Sequence, residues 1–149
     1  MTNAKRYIIN VQGAVYRGDK FLISKRSELE DFMPGIVGLA GGKIEAEDEE
    51  AEDVLLATLA REIYEEVNVR VDNFQLVTTN YFEADGVPVI NIVFLCRYVS
   101  GEAQATDPNE VEEIYWMTVE ETLSHPKCMP WTQSYLSKAE VLRQNIIGL

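Results

Sequence analysis

The sequence predicts an α/β (α+β) fold in which a mixed β-sheet is sandwiched between helices, as a single domain over residues 1–149. Three observations predict it. Runs rich in β-branched and aromatic residues occur at the start, in the middle and near the end of the chain. Two long windows between and after them repeat apolar residues every three or four positions. Strands that precede, separate and follow helices bury both faces of one sheet.

The elements follow in order. YIINVQGAVY (7–16) reads as a strand, Arg17-Gly18-Asp19 as a turn and KFLISKR (20–26) as the partner strand. Residues 27–42 read as a loop with short extended pieces, ending in LAGGK. A helix is expected from Asp53 to Val67, because Leu56, Leu59, Ala60, Ile63 and Val67 form one apolar stripe. Residues 69–83 and 87–100 are two strand runs joined by the hairpin signal Asp85-Gly86. Residues 111–118 give a further strand. Thr118 and Glu121 have capping-box spacing and open a short helix that stops before Pro126. A last helix spans 130–147, with Pro130 in its first turn and Tyr135, Leu136, Ala139, Leu142 and Ile146 as its apolar positions.

Composition narrows the function classes. The formal net charge is −12, so the chain lacks the basic surface that neutralises a nucleic-acid backbone. No apolar run approaches the roughly 20 residues that span a bilayer, and the first 20 residues lack a signal-peptide pattern. The expectation is a soluble, cytoplasmic protein with no nucleic-acid polymer and no membrane as partner. Cys96 and Cys128 lack the spacing of a zinc site, and His125 is the only histidine, in a proline-punctuated loop. Nucleophilic chemistry built on a histidine is therefore disfavoured. Clustered carboxylates remain, and these suit Mg²⁺, which takes carboxylate oxygens and substrate phosphates together.

One such cluster lies in REIYEEV (61–67). On a helix Glu62, Glu65 and Glu66 share a face, where like charges cost a few tenths of a kcal/mol per pair. The three lie beside the apolar stripe and not opposite it, as the edge of a cleft requires. Seven of the nine residues of EAEDEEAED (45–53) are acidic as well, and most of these read as a solvated loop.

GGKIE (41–45) followed by REIYEEVNV (61–69) resembles the Nudix box, G-x5-E-x7-R-E-U-x-E-E-x-G-U with U an aliphatic residue. Gly42, Arg61, Glu62, Ile63, Glu65, Glu66 and Val69 occupy matching places, and the strand order resembles the rest of a MutT-like Nudix domain. There are three departures. Asn68 replaces a glycine, a change that a left-handed helix cap tolerates, and Ala40 replaces a frequent proline. The connecting loop is five residues longer, so the motif's first glutamate falls on Asp48 counting from Gly42, or on Asp53 counting from Arg61.

The resemblance implies a hydrolase of phosphorus-containing acid anhydrides that uses Mg²⁺, with Mn²⁺ as a substitute. It implies that Glu62 and Glu66 are core metal ligands with Glu65 alongside, and that Gly41 or Gly42 offers a carbonyl. Arg61 pairs with a loop carboxylate and orients the box. Glu110 is the first candidate for a further ligand or base, with Glu112 and Glu113 as alternatives. Arg26 and Lys43 are candidates for phosphate contacts, Glu45 for support of the site, and Tyr81, Phe82 and Trp131 for stacking on a base. The expected substrate is a small nucleotide diphosphate derivative, with a nucleoside triphosphate pyrophosphohydrolase placed ahead of an ADP-ribose or nucleotide-sugar pyrophosphatase. A catalytically weak, nucleotide-binding regulatory module is the other reading. Homodimers are common in the family.

Overall fold

The computed structural model describes residues 3–147; residues 1, 2, 148 and 149 of the expected domain lie outside them. Seven strands and three helices follow the expected order: β1 (Ile8–Arg17), β2 (Lys20–Arg26), β3 (Val37–Gly38), β4 (Ala40–Lys43), α1 (Val54–Val67), β5 (Arg70–Ala84), β6 (Val87–Ser100), β7 (Val111–Met117), α2 (Val119–Leu123) and α3 (Pro130–Ile147). A short 3₁₀ turn, Ala46–Asp48, lies in the acidic loop. The expected bounds hold to within one residue. What the sequence left as extended pieces in 27–42 are the two short strands β3 and β4.

The sheet is mixed, because β1 runs parallel to β6 from Ile8↔Val89 to Tyr16↔Arg97, while the other pairings are antiparallel. Its central feature is a split. β1 and β2 pair only at Tyr16↔Phe21 and Arg17↔Lys20, beside their turn. Away from the turn they part. β4 then occupies the free edge of β1, from Asn10↔Lys43 to Gly13↔Ala40, and β3 occupies that of β2 at Ser24↔Gly38 and Lys25↔Val37. The opening between the two halves becomes a cavity.

Alternation along the strands builds two cores. Val11 and Val15 of β1 turn towards α1, where Leu59, Ile63 and Val67 meet Val69 and Cys96. Ala14 and Tyr16 turn the other way, towards Tyr135, Leu136 and Ala139 of α3. Ile146, expected on the apolar face of that helix, is 40 % exposed, because the last turn runs past the edge of the sheet's core. Both cysteines are buried and free, and burial pushes the Cys96 thiol well up. No helix among the described residues is long and apolar enough to cross a membrane.

Helix α1 is held at both ends by its own sequence. Asp53 caps the start, its Oδ1 accepting from the Leu56 N–H at 3.2 Å. Asn68 ends it at φ 62°, ψ 33°, the left-handed cap anticipated for the residue that replaces a glycine. Its N–H donates to Tyr64 O at 2.9 Å and its side chain donates to Glu102 O at 3.0 Å. Asn68→Ala is expected to lower stability by about 1–2 kcal/mol, and Asn68→Gly by less, measured as urea midpoints at constant slope. Equal midpoints for the two variants would remove the backbone explanation.

Candidate active site

Where β1 and β2 part, a cavity of about 870 Å³ opens, walled by β4, the C-terminal half of α1, the β5–β6 hairpin and the start of α3. Glu62 and Glu66 project into it from α1, and Glu110 from the turn before β7. A backbone bond from the Ser27 N–H to Glu110 O, 3.0 Å, ties that turn to the end of β2. Six carboxylates (Glu30, Glu62, Glu66, Glu83, Asp85 and Glu110) and two cations (Arg26 and Lys43) line the cavity. A diphosphate entering it meets an excess of negative charge. A cation is the simplest physical remedy.

Glu66 feels burial first and part of that excess second. Burial pushes its carboxyl up to about 7; the Gly41 N–H, donating to Oε2 at 3.5 Å, opposes the shift, and the Glu62 and Glu110 charges add to it. Glu62 is also raised, first by burial, although Arg61 opposes this. The two glycines of β4 are needed at this contact. A Cβ on Gly42 would lie 2.4 Å from the Glu62 carboxyl carbon, and one on Gly41 would lie 2.0 Å from Val11 O. Bare backbone lets the strand pass between β1 and the carboxylates.

Arg61 is the organiser. Its Nε and Nη2 donate to Asp48 Oδ1 and Oδ2, both at 2.9 Å, a bidentate pair. Its Nη1 donates to Glu62 Oε1 at 3.1 Å and Glu65 Oε2 at 3.0 Å, and Nη2 also reaches Lys43 O at 3.3 Å. Asp48 is only 4 % exposed and accepts further from Thr58 Oγ1 and the Glu45 N–H, each at 2.9 Å. These bonds, those from Arg61 first, hold its carboxyl well below the usual range. The two ways of counting the loop are thereby decided. Asp48 partners Arg61, and Asp53 caps the helix. The five extra residues, 49–53, bulge outward after Asp48, and most are exposed.

The expected site residues divide accordingly. Glu62, Glu66, Glu110, Arg26, Lys43 and Gly41 line the cavity, as do Phe82 and Trp131. Arg26 is steadied by the bond from its Nε to Phe32 O, 3.0 Å, and by Glu30 at 3.5 Å. Glu65 is 55 % exposed, bonds to Arg61 and lies outside the cavity lining. Glu45 also lies outside that lining, and its N–H donates to Asp48. Tyr81 is a third residue outside it. Strand alternation turns it away from the cavity and against Tyr7, with ring centres 6.2 Å apart, while its neighbour Phe82 faces inward. The alternatives Glu112 and Glu113 are engaged elsewhere, Glu112 with Lys25 at 2.8 Å and Glu113 with the Tyr115 hydroxyl. Glu30 and the polar side chains Asn10, Gln12, Asn91 and Tyr135 line the cavity without having been singled out from sequence.

Among the described residues, no three His, Cys, Asp or Glu side chains are drawn together as a ready-made metal site. The donor set nevertheless suits a hard divalent cation, which needs only one or two carboxylates and completes its shell with water and phosphate oxygens. Glu62 and Glu66, whose ionisation is opposed by burial and by mutual repulsion, are the residues such an ion would favour.

The sequence matches the family model of the NUDIX domain over residues 6–138. It is 34% identical over 103 residues to the uncharacterized Nudix hydrolase YfcD of Escherichia coli (strain K12), a match covering 68% of this chain and 53% of that protein. The chain thus spans about half the length of that relative. Among solved structures, a MutT NUDIX hydrolase from Burkholderia pseudomallei superposes with a TM-score of 0.75 at 23% identity, covering 90% of this chain and 98% of that one. The NUDIX domain of Shewanella oneidensis NrtR, complexed with ADP ribose, superposes with a TM-score of 0.73 at 17% identity, covering 96% and 90%. The chain belongs to the Nudix family.

Proposed function

We propose that the chain is a divalent-cation-dependent Nudix hydrolase that cleaves the diphosphate linkage of a nucleoside diphosphate derivative, with nucleoside triphosphates as the first substrate class to test. The observation that carries this reading is the meeting of Glu62, Glu66 and Glu110 with Arg26 and Lys43 in one cavity. Nudix hydrolases generally use divalent metal ions, and we assign the site to Mg²⁺, held by Glu62 and Glu66 beside the Gly41 backbone. When bound, the ion would neutralise diphosphate oxygens and make a bound water more acidic.

The chain's own residues supply the rest. Asp48 fixes Arg61, and Arg61 fixes Glu62 at the cavity wall. Arg26 and Lys43 offer positive charge to the substrate's terminal phosphates. Glu110 lines the same cavity as Glu66, and on this reading it accepts the proton of an attacking water.

The structure of the box loop supports efficient hydrolysis over a weakly active regulatory module. Asp48 reaches Arg61 with both oxygens, and the extra residues leave the cavity unobstructed. An ADP-ribose pyrophosphatase is the second reading, favoured by the likeness to the ADP-ribose-bound NUDIX domain. A panel of nucleoside triphosphates, ADP-ribose and nucleotide sugars, assayed with Mg²⁺ for phosphate-containing products, tests the proposal. Turnover of at least one class that stops on chelation is expected. No turnover of any of them would overturn it.

A further inference from the structure

Glu62 and Glu66 enter the cavity from α1, and the strands of the sheet bring a different chemistry to it. Three asparagines lie side by side across three strands. Asn91 of β6 is in register with Asn10 of β1 on one side and with Asn80 of β5 on the other. Their side chains are joined: Asn10 Nδ2 donates to Asn91 Oδ1 at 2.9 Å, and Asn91 Nδ2 donates to Asn80 Oδ1 at 3.3 Å. Gln12 and Tyr135 complete the row. Asn91 Nδ2 donates to Gln12 Oε1 at 2.9 Å, and the Tyr135 hydroxyl donates to Asn80 Oδ1 at 2.8 Å. Asn91 is 1% exposed at the centre of a sheet made largely of valine, isoleucine and phenylalanine.

Such a row is costly to keep for stability alone. Asparagine is depleted in strands, and buried amides at best break even once they are hydrogen-bonded. The row is also incomplete as a structural device. Asn10 lines the cavity, and its Oδ1 has no donor among the described residues. Flat apolar surfaces flank it: Phe82 lies two residues beyond Asn80 on the same face of β5, and Trp131 one turn before Tyr135 on α3. Along β1, Asn10 is about 7 Å from Gln12, whose partner on β4 is Gly41, the residue whose N–H reaches Glu66. That is the scale of a ribose between a base and its first phosphate.

We infer that the amide row Asn10–Asn91–Asn80, with Gln12 and Tyr135, is the subsite that recognises the nucleobase of the substrate, by hydrogen bonds to its edge while Phe82 and Trp131 cover its faces. This rests on the diphosphate reading of the carboxylates, and it commits that reading to nucleosides. A diphosphate with an apolar tail would bring no donor to Asn10 Oδ1, a loss that hydrogen-bonding sites discriminate against.

Calorimetric titration with Mg²⁺ present, using pyrophosphate and the four probes ADP, GDP, CDP and UDP, separates the amide row from the carboxylates. The wild-type protein is expected to bind at least one nucleoside diphosphate about tenfold or more tighter than pyrophosphate. Asn10→Ala and Gln12→Ala, at the accessible side of the row, are each expected to remove most of that advantage and to alter the order among the four bases, with pyrophosphate affinity within about twofold. Asn91→Ala serves as the buried variant, with circular dichroism confirming its fold. Retention of the full advantage and the same order of bases in Asn10→Ala and Gln12→Ala overturns the subsite, while binding of pyrophosphate leaves the diphosphate reading intact. Equal wild-type affinity for pyrophosphate and all four probes overturns it too, as does the absence of any binding.

Discussion

Glu66→Gln is expected to lower Mg²⁺-dependent turnover by about a thousandfold or more while making the metal-free protein more stable above neutral pH. The two effects have one cause. In the wild type the carboxyl is pushed up to about 7 by burial and by the charges of Glu62 and Glu110. Between the unfolded value of 4.5 and about 7 the folded state holds a proton that the unfolded state has released. Stability therefore falls as pH rises through that window, and it stays lower above it. Allowing for partial solvent screening, the loss is about 2 kcal/mol. Glutamine cannot ionise, so the variant keeps that stability at pH 8, and denaturation midpoints at pH 5 and pH 8 measure it. A variant that is inactive and also less stable at pH 8 would show that Glu66 serves folding instead.

The other large effect is expected at Arg61. Arg61→Ala strands the carboxylate of Asp48, which is 4 % exposed and loses both guanidinium bonds. Breaking a buried pair from one side costs about 3–5 kcal/mol, far above the value of a surface ion pair. Glu62 is released at the same time, so activity should fall beyond what the stability change explains. Asp48→Asn is the milder counterpart: it keeps an acceptor for Thr58 and loses the charge. Urea unfolding that shows less than about 1 kcal/mol for Arg61→Ala would mean that the pair is solvated and that the loop is held by other contacts.

Most of the architecture was legible because it is local. Periods of two and of 3.6 residues placed α1, α3 and the long strands, a capping box placed α2, and Asn68 was recognisable as a left-handed cap because it stands where the motif has glycine. The site was legible in part. Glu62 and Glu66 follow from helical spacing, but the same spacing could not show that Glu65 is exposed and bonded to Arg61. Asp48 and Asp53 were equivalent in sequence. Only the direction in which residues 49–53 bulge separates them, and that depends on contacts with Thr58 and Arg61 across the loop. Tyr81 and Phe82 were indistinguishable for a similar reason. β5 carries register irregularities between Asp72 and Gln75 and between Leu76 and Thr78, so strict alternation cannot be carried along it to decide which ring faces inward. The asparagine row depends on the register of three strands that are distant in sequence. Its only local trace was the presence of asparagine at Asn10, Asn80 and Asn91 inside strand runs.

On the proposed function, Glu62 and Glu66 form an incomplete cation site that a divalent ion completes. Titration with Mn²⁺, followed by electron paramagnetic resonance of the free ion, tests it without reference to substrate or turnover. Binding to the wild-type protein should strengthen as pH rises from 6 to 8, because ionised Glu66 is the form that binds, and it should be lost or greatly weakened in Glu66→Gln. Binding that is independent of pH and equal in the two proteins would contradict it.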